Sequence, residues 1–187
     1  MGRAPRLEPV GGVVHVMARG VRREAIYVDD DDRRLFITFL AQSVHRQRWA
    51  CLAYCLMSNH FHLLLALSDA NLSSGMHRLN WLYALRFNER YGHAGHLFES
   101  RFRSRLIETE AYLLDALGYI VLNPVRAGLC PDPADWEWSS FRATAALERC
   151  PRFLAAARVR RLFGRGPRGS ELYAEFVRAR GEFLSGA

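Results

Sequence analysis

The sequence predicts an α+β domain built on a four-stranded antiparallel sheet. Three observations point there. Short β-branched or apolar runs are interspersed with longer stretches of helical periodicity, in the order β-α-β-β-α-β-α. Two of the apolar runs join through the short turn Ser58-Asn59. The first six elements then match a split βαβ, ferredoxin-like arrangement with helices on one sheet face, leaving the other open for a site or another helix. A tyrosine-bearing helix follows, and a basic helical appendage ends the chain. The expected division is 1–144 for the main domain and 145–187 for the appendage.

Residues 12–18 (GVVHVMA) form the first strand, ending at Arg19-Gly20. Asp29 to Asp32 precede an apolar-periodic helix over 35–44. Four acids there serve as N-cap and first-turn partners of the helix dipole, with a metal site as the competing reading. Residues 49–57 and 61–67 are strands, and 71–91 a helix broken by Gly92 and Gly95. Residues 97–107 alternate as a strand. Thr109 caps a helix that runs to Asn123 and stops at Pro124. Trp136 to Ala143 closes the domain, and two helices are expected around 153–163 and 171–183.

The chain holds 26 basic and 19 acidic residues, a net charge of +7, and every basic residue is Arg. Residues 145–187 alone carry nine Arg and four acids. Arg offers a planar fork for phosphate oxygens and stacks on bases, so a polyanionic partner is favoured. No apolar run approaches the roughly 20 residues of a membrane-spanning helix, and MGRAPRLEPVGG lacks a signal-peptide core. A cytoplasmic protein with no membrane partner is expected. The four cysteines form no Cys-x-x-Cys pair; Cys51 and Cys55 lie in an apolar strand and read as buried thiols.

The central motif is MSNHFHLLL, residues 57–65. On a strand, His60 and His62 share one face while Phe61 points the other way. Two such imidazoles can share a divalent cation, or can simply hydrogen-bond on the sheet face. Tyr119 and Asn123 lie one helical turn apart. A phenol can attack a phosphodiester and a carboxamide oxygen can ligate Mg²⁺ or Mn²⁺. A boundary tyrosine and a capping asparagine are the alternative.

MSNHFHLLL, followed some fifty residues later by GYIVLNPVRAGL and then WSSF, resembles the single-tyrosine HUH transposases, and among them the REP-associated branch. The resemblance spans nearly the whole chain. It implies a ferredoxin-like core that cuts single-stranded or hairpin DNA as a monomer or homodimer. It implies His60 and His62 as ligands of Mg²⁺ or Mn²⁺, Asn123 as a third ligand, and Tyr119 as the nucleophile forming a 5′-phosphotyrosine link. Two positions depart from the family pattern: Val21, where asparagine is frequent, and Ser58, where proline is usual. A non-catalytic DNA-hairpin-binding regulator derived from such a transposase is the second reading. Tyr112 also lies on this helix, but at 1.5 Å per residue it sits about 16 Å along the axis from Asn123, against about 6 Å for Tyr119. Tyr112 is therefore expected to pack.

Candidate DNA-binding arginines fall in three groups. Arg19, Arg22 and Arg23 crowd the first turn; Arg158, Arg160, Arg161, Arg165 and Arg168 lie in the tail. Arg101, Arg103 and Arg105 alternate on the predicted fourth strand, where three like charges on one face repel unless anions offset them.

Overall fold

A computed structural model describes residues 10–185. Strand β1 (Val13–Arg19) runs through the interior of the sheet, with β2 (Ala50–Leu56), β3 (His60–Ala66) and β4 (Arg103–Ile107) ordered β2-β3-β1-β4. Every neighbouring pair is antiparallel. Side-chain alternation sorts the two faces. Val14, Val16 and Ala18 of β1, with Phe61, Leu63 and Leu65 of β3, pack under α1 (Asp30–Gln47) and α2 (Leu72–Tyr91). Leu64 and Ala66 face the opposite layer, where α3 (Glu110–Val121) supplies Leu117, Ile120 and Val121. That layer is completed by Val159 of α6 (Ala156–Phe163) and Tyr173 and Val177 of α7 (Pro167–Ser185). The helix-free face left by the split βαβ unit is thus occupied.

Local chemistry explains the element ends. Asp29 caps α1 by accepting from the Asp32 amide at 3.1 Å, while the Asp32 side chain reaches back to the Asp29 amide. The acids before α1 are a capping device, and buried Asp32 also accepts from the Val28 amide at 2.8 Å and from Arg90 at 2.7 Å. Thr109 caps α3, its hydroxyl accepting from the Tyr112 amide at 3.2 Å. The expected helix to Asn123 divides: α3 stops at Val121, and a four-residue turn, α4 (Asn123–Arg126), holds Pro124, which lacks the N–H a continuing helix needs. The predicted strand over 97–107 shortens to β4. Its first part instead makes a single bridge, Phe98 to Gly20, with the Val21 amide bonded to the Leu97 carbonyl at 3.0 Å. Phe102 then turns into the core.

The WSSF segment covers the exposed edge of β2. Its Ser140 hydroxyl accepts from the Tyr54 amide at 3.0 Å, and the Trp138 carbonyl takes the Leu56 amide at 2.8 Å. α5 (Phe141–Thr144) follows it. Cys51 and Cys55 are buried free thiols, and burial pushes Cys51 up to about 12. Among the described residues, no helix is long and apolar enough to cross a membrane.

Candidate active site

Strand register brings three histidines to one face. His62 stands opposite Met17 and His60 opposite Arg19. His15, two residues before Met17, therefore projects beside His62, and its Nε2 lies 2.9 Å from His62 Nδ1. The His60 and His62 ring centroids are 5.1 Å apart. On its other flank, His60 meets Asn59. The Asn59 amide nitrogen donates to the Arg23 carbonyl at 2.9 Å, so its Oδ1 is the atom that accepts from His60 Nδ1 at 2.7 Å. His60 Nε2 is left with its lone pair.

Burial keeps these rings neutral. It pushes His60 down to about 4, with Arg19 adding to the effect. It pushes His62 to about 2, aided by His15 and His60, and His15 to about 4, aided by Arg105. A neutral imidazole retains the lone pair that a metal ion needs. Among the described residues no three His, Cys, Asp or Glu side chains converge as a cage. A cation held by two of these imidazoles would have to draw its remaining donors from neutral oxygens.

Tyr119 reaches the same place from α3. Its ring meets His62 edge-on at 5.6 Å and His15 at 5.9 Å, and it remains 39% exposed. The Arg126 guanidinium lies 5.0 Å from the Tyr119 ring centroid. Asn123 is half-buried. Its amide nitrogen donates to the carbonyls of Tyr119 at 2.8 Å and Ile120 at 3.3 Å, closing the end of α3 as the capping reading expects. Its Oδ1 is the atom able to ligate.

Next to these groups opens a cleft of about 430 Å³, walled by Met17, His62, Arg103, Arg105, Tyr112 and Tyr119. Tyr112 does pack, under the Arg105 guanidinium at 4.7 Å, but it does so as a wall of this cleft. Arg103 and Arg105 project together, paired in register with Met17 and His15. Arg103 is offset by Glu99 at 3.7 Å. The expectation that Arg101 joins them fails. Arg101 precedes β4, where the chain bends, and lines a separate groove with Trp81 of α2 and His96. Arg19 is half-buried next to His60, its Nε a buried donor without an acceptor among the described residues. Arg22 and Arg23 are exposed on a left-handed turn with φ of 54° and 63°. Of the tail arginines, Arg160 is used internally, donating to the Thr144 carbonyl at 2.8 Å.

His15, Asn59 and Arg126 are the residues that sequence reasoning passed over. His15 sits at an alternate position of β1, so its face was readable by period; which strand lies beside it was not.

A curated Haemophilus influenzae protein, named for the REP-associated tyrosine transposases, is 28% identical over 122 residues, covering 59% of this chain and 69% of its own. A solved structure of a REP-associated tyrosine transposase bound to a REP hairpin superposes with a TM-score of 0.66 at 20% identity, covering 83% of this chain and 92% of the other. At that identity the likeness establishes the fold. Residues 11–121 match the family described as IS200-like transposase. Since that span runs from the strand bearing His15, through His60 and His62, to Tyr119 on α3, the chain belongs to the IS200-like transposase family.

Proposed function

We propose that this protein is a metal-dependent transposase that nicks and rejoins single-stranded or hairpin DNA through a 5′-phosphotyrosine intermediate. The observation that carries the reading is the meeting of Tyr119, from α3, with two neutral histidines from β1 and β3 on one sheet face. His60, His62 and the Asn123 carboxamide would hold Mg²⁺ or Mn²⁺, which polarises a phosphate oxygen when bound. The Tyr119 oxygen forms a bond to phosphorus, and its proton passes to the solvent that reaches the ring. The bond from phosphorus to the 3′ oxygen breaks, and that oxygen leaves as a 3′-hydroxyl after taking up a proton. A 3′-hydroxyl attacking the phosphotyrosine reverses the step, so joining requires no nucleotide hydrolysis.

Arg103 and Arg105 flank the cleft and are placed to hold backbone phosphates of the strand, with Arg19, Arg22 and Arg23 at the other end of β1 and Arg101 in its own groove. Residues 1–144 carry this chemistry. Within the C-terminal part, α7 braces the tyrosine helix: Arg180 pairs with Asp115 at 2.6 Å, and its side chain crosses Gly118, where a Cβ would lie 3.1 Å from Arg180 Cδ.

The test is adduct formation on a fluorescent imperfect hairpin in Mg²⁺ or Mn²⁺. The wild-type chain should yield a covalent protein–DNA species whose mass maps to Tyr119. Tyr119→Phe should abolish it while DNA affinity changes less than about threefold, because arginine contacts supply most of the binding. Tyr112→Phe should retain it, and excess chelator should block it. Tight hairpin binding with no adduct under any metal would instead establish the regulator reading.

A further inference from the structure

Two candidate metal ligands stand on neighbouring alternate positions of β3, and each has its Nδ1 engaged. His60 Nδ1 meets Asn59 Oδ1 at 2.7 Å, and His62 Nδ1 meets His15 Nε2 at 2.9 Å. For His60 the direction of the bond follows from connectivity, because the Asn59 amide nitrogen is already spent on the Arg23 carbonyl. For His62 the two rings could share the proton either way round. Ligation separates the cases. His62 is 3% exposed and its one hydrogen-bonding partner among the described residues is His15, whereas His15 is half-buried. His62 lines the cleft, and with Nδ1 engaged by His15 its Nε2 is the ring nitrogen left to a ligand; a cation takes that lone pair, which puts the proton on Nδ1, donated to His15. A proton on His15 Nδ1 lies on the less buried ring.

We infer that His15 and Asn59 are positioning residues that lock His62 and His60 in the Nδ1–H tautomer, so that both Nε2 lone pairs are presented to a divalent cation. The inference rests on the metal reading of the site proposed above. The two locks come from different elements. Asn59 belongs to the β2–β3 turn and also ties down the arginine turn through Arg23. His15 belongs to the central strand and packs against the Tyr119 ring at 5.9 Å. The nucleophile and the orientation of one ligand are thereby coupled through a single imidazole. Partners of this kind, outside the ligand set, commonly govern metal affinity by about 10–100-fold.

The experiment has two readouts on the full chain. Long-range ¹H–¹⁵N spectra of the metal-free protein report which nitrogen of each histidine carries the proton. Both His60 and His62 should be protonated on Nδ1. Titration with Mn²⁺ alone, followed by the electron paramagnetic resonance of the free ion, reports affinity. His15→Leu and Asn59→Ala should each weaken Mn²⁺ binding about 10–100-fold, and His15→Leu should leave metal-free hairpin affinity unchanged. His15→Gln, whose side-chain oxygen can accept the His62 proton, should stay within about threefold of wild type; this separates hydrogen bonding from simple packing. An Nε2–H His62 in the wild-type spectrum, an unchanged affinity in His15→Leu, or a His15→Gln as weak as His15→Leu would overturn the inference alone. Wild-type protein with no Mn²⁺ binding sensitive to His62→Ala would overturn the metal reading and this inference with it.

Discussion

Gly20 sits where β1 hands the chain to the arginine turn, and the space there is closed. A Cβ at this position would lie 2.3 Å from the Glu24 carbonyl oxygen and 2.9 Å from Ile26 Cγ2. The first of these is backbone and cannot rotate away. Gly20→Ala should therefore push the turn outward and cost about 1–3 kcal/mol, the usual range for overpacking, read as a lower urea midpoint at unchanged slope. Because Asn59 grips Arg23 in the same turn, the His60 ring signals should shift as well. The shared strand face of His60 and His62 and the helical position of Tyr119 were legible in the sequence because their patterns are local: two alternating histidines on one strand, and a tyrosine four residues before an asparagine. His15 was not, since its role depends on β1 lying beside β3. Arg101 was misplaced for the opposite reason. Its alternation with Arg103 and Arg105 is real, but the bend after Ser100 takes it out of the strand that alternation assumes.

Among the elements, α1 and α2 are fastened at one point. Arg90, near the end of α2, donates to Asp29 at 2.9 and 2.7 Å and to buried Asp32 at 2.7 Å, and Tyr91 adds its hydroxyl to Asp32 at 2.9 Å. Hydrogen bonding from Arg90, with help from the Asp32 amide, holds the Asp29 carboxyl below its ordinary 3.8. Folding therefore favours the ionised form, and the unfolded chain binds more protons at acid pH. The contribution is complete above the unfolded value and is lost as pH falls through the lower, folded one. Arg90→Ala should lower the melting temperature at pH 7, because it removes the hydrogen bonds to both carboxylates. The gap between the variant's and the wild-type melting temperatures should narrow below about pH 3.8. A gap independent of pH would contradict this account. The four acids that mark this junction are plain in the sequence, as are all four strands and the order of the helices. The arginine that answers them lies some sixty residues away, and no periodicity links the two. The division of the tyrosine helix at Pro124 was signalled by the proline; the extra turn beyond it was set by packing.

At the scale of the whole molecule, the sheet is a partition. One side is a core under α1 and α2; the other is shared between α3 with α7 and the histidine cleft. The second face was expected to take a site or another helix, and it carries both: α3 packs on part of it and the histidine cleft opens beside α3. α3 is held on both sides: Leu117, Ile120 and Val121 against the sheet, and Gly118 and Asp115 against Arg180. This arrangement has a genetic consequence. Because the Tyr119 ring meets His15 and His62 within one chain, we predict that two damaged copies will not repair each other by exchanging halves of a site. A His62→Ala chain mixed with a Tyr119→Phe chain, in any ratio, should give no more covalent adduct than either alone. Substantial recovery in the mixture would mean that the tyrosine helix crosses to a second molecule. Without such crossing, two differently inactivated copies of the chain should fail to complement each other.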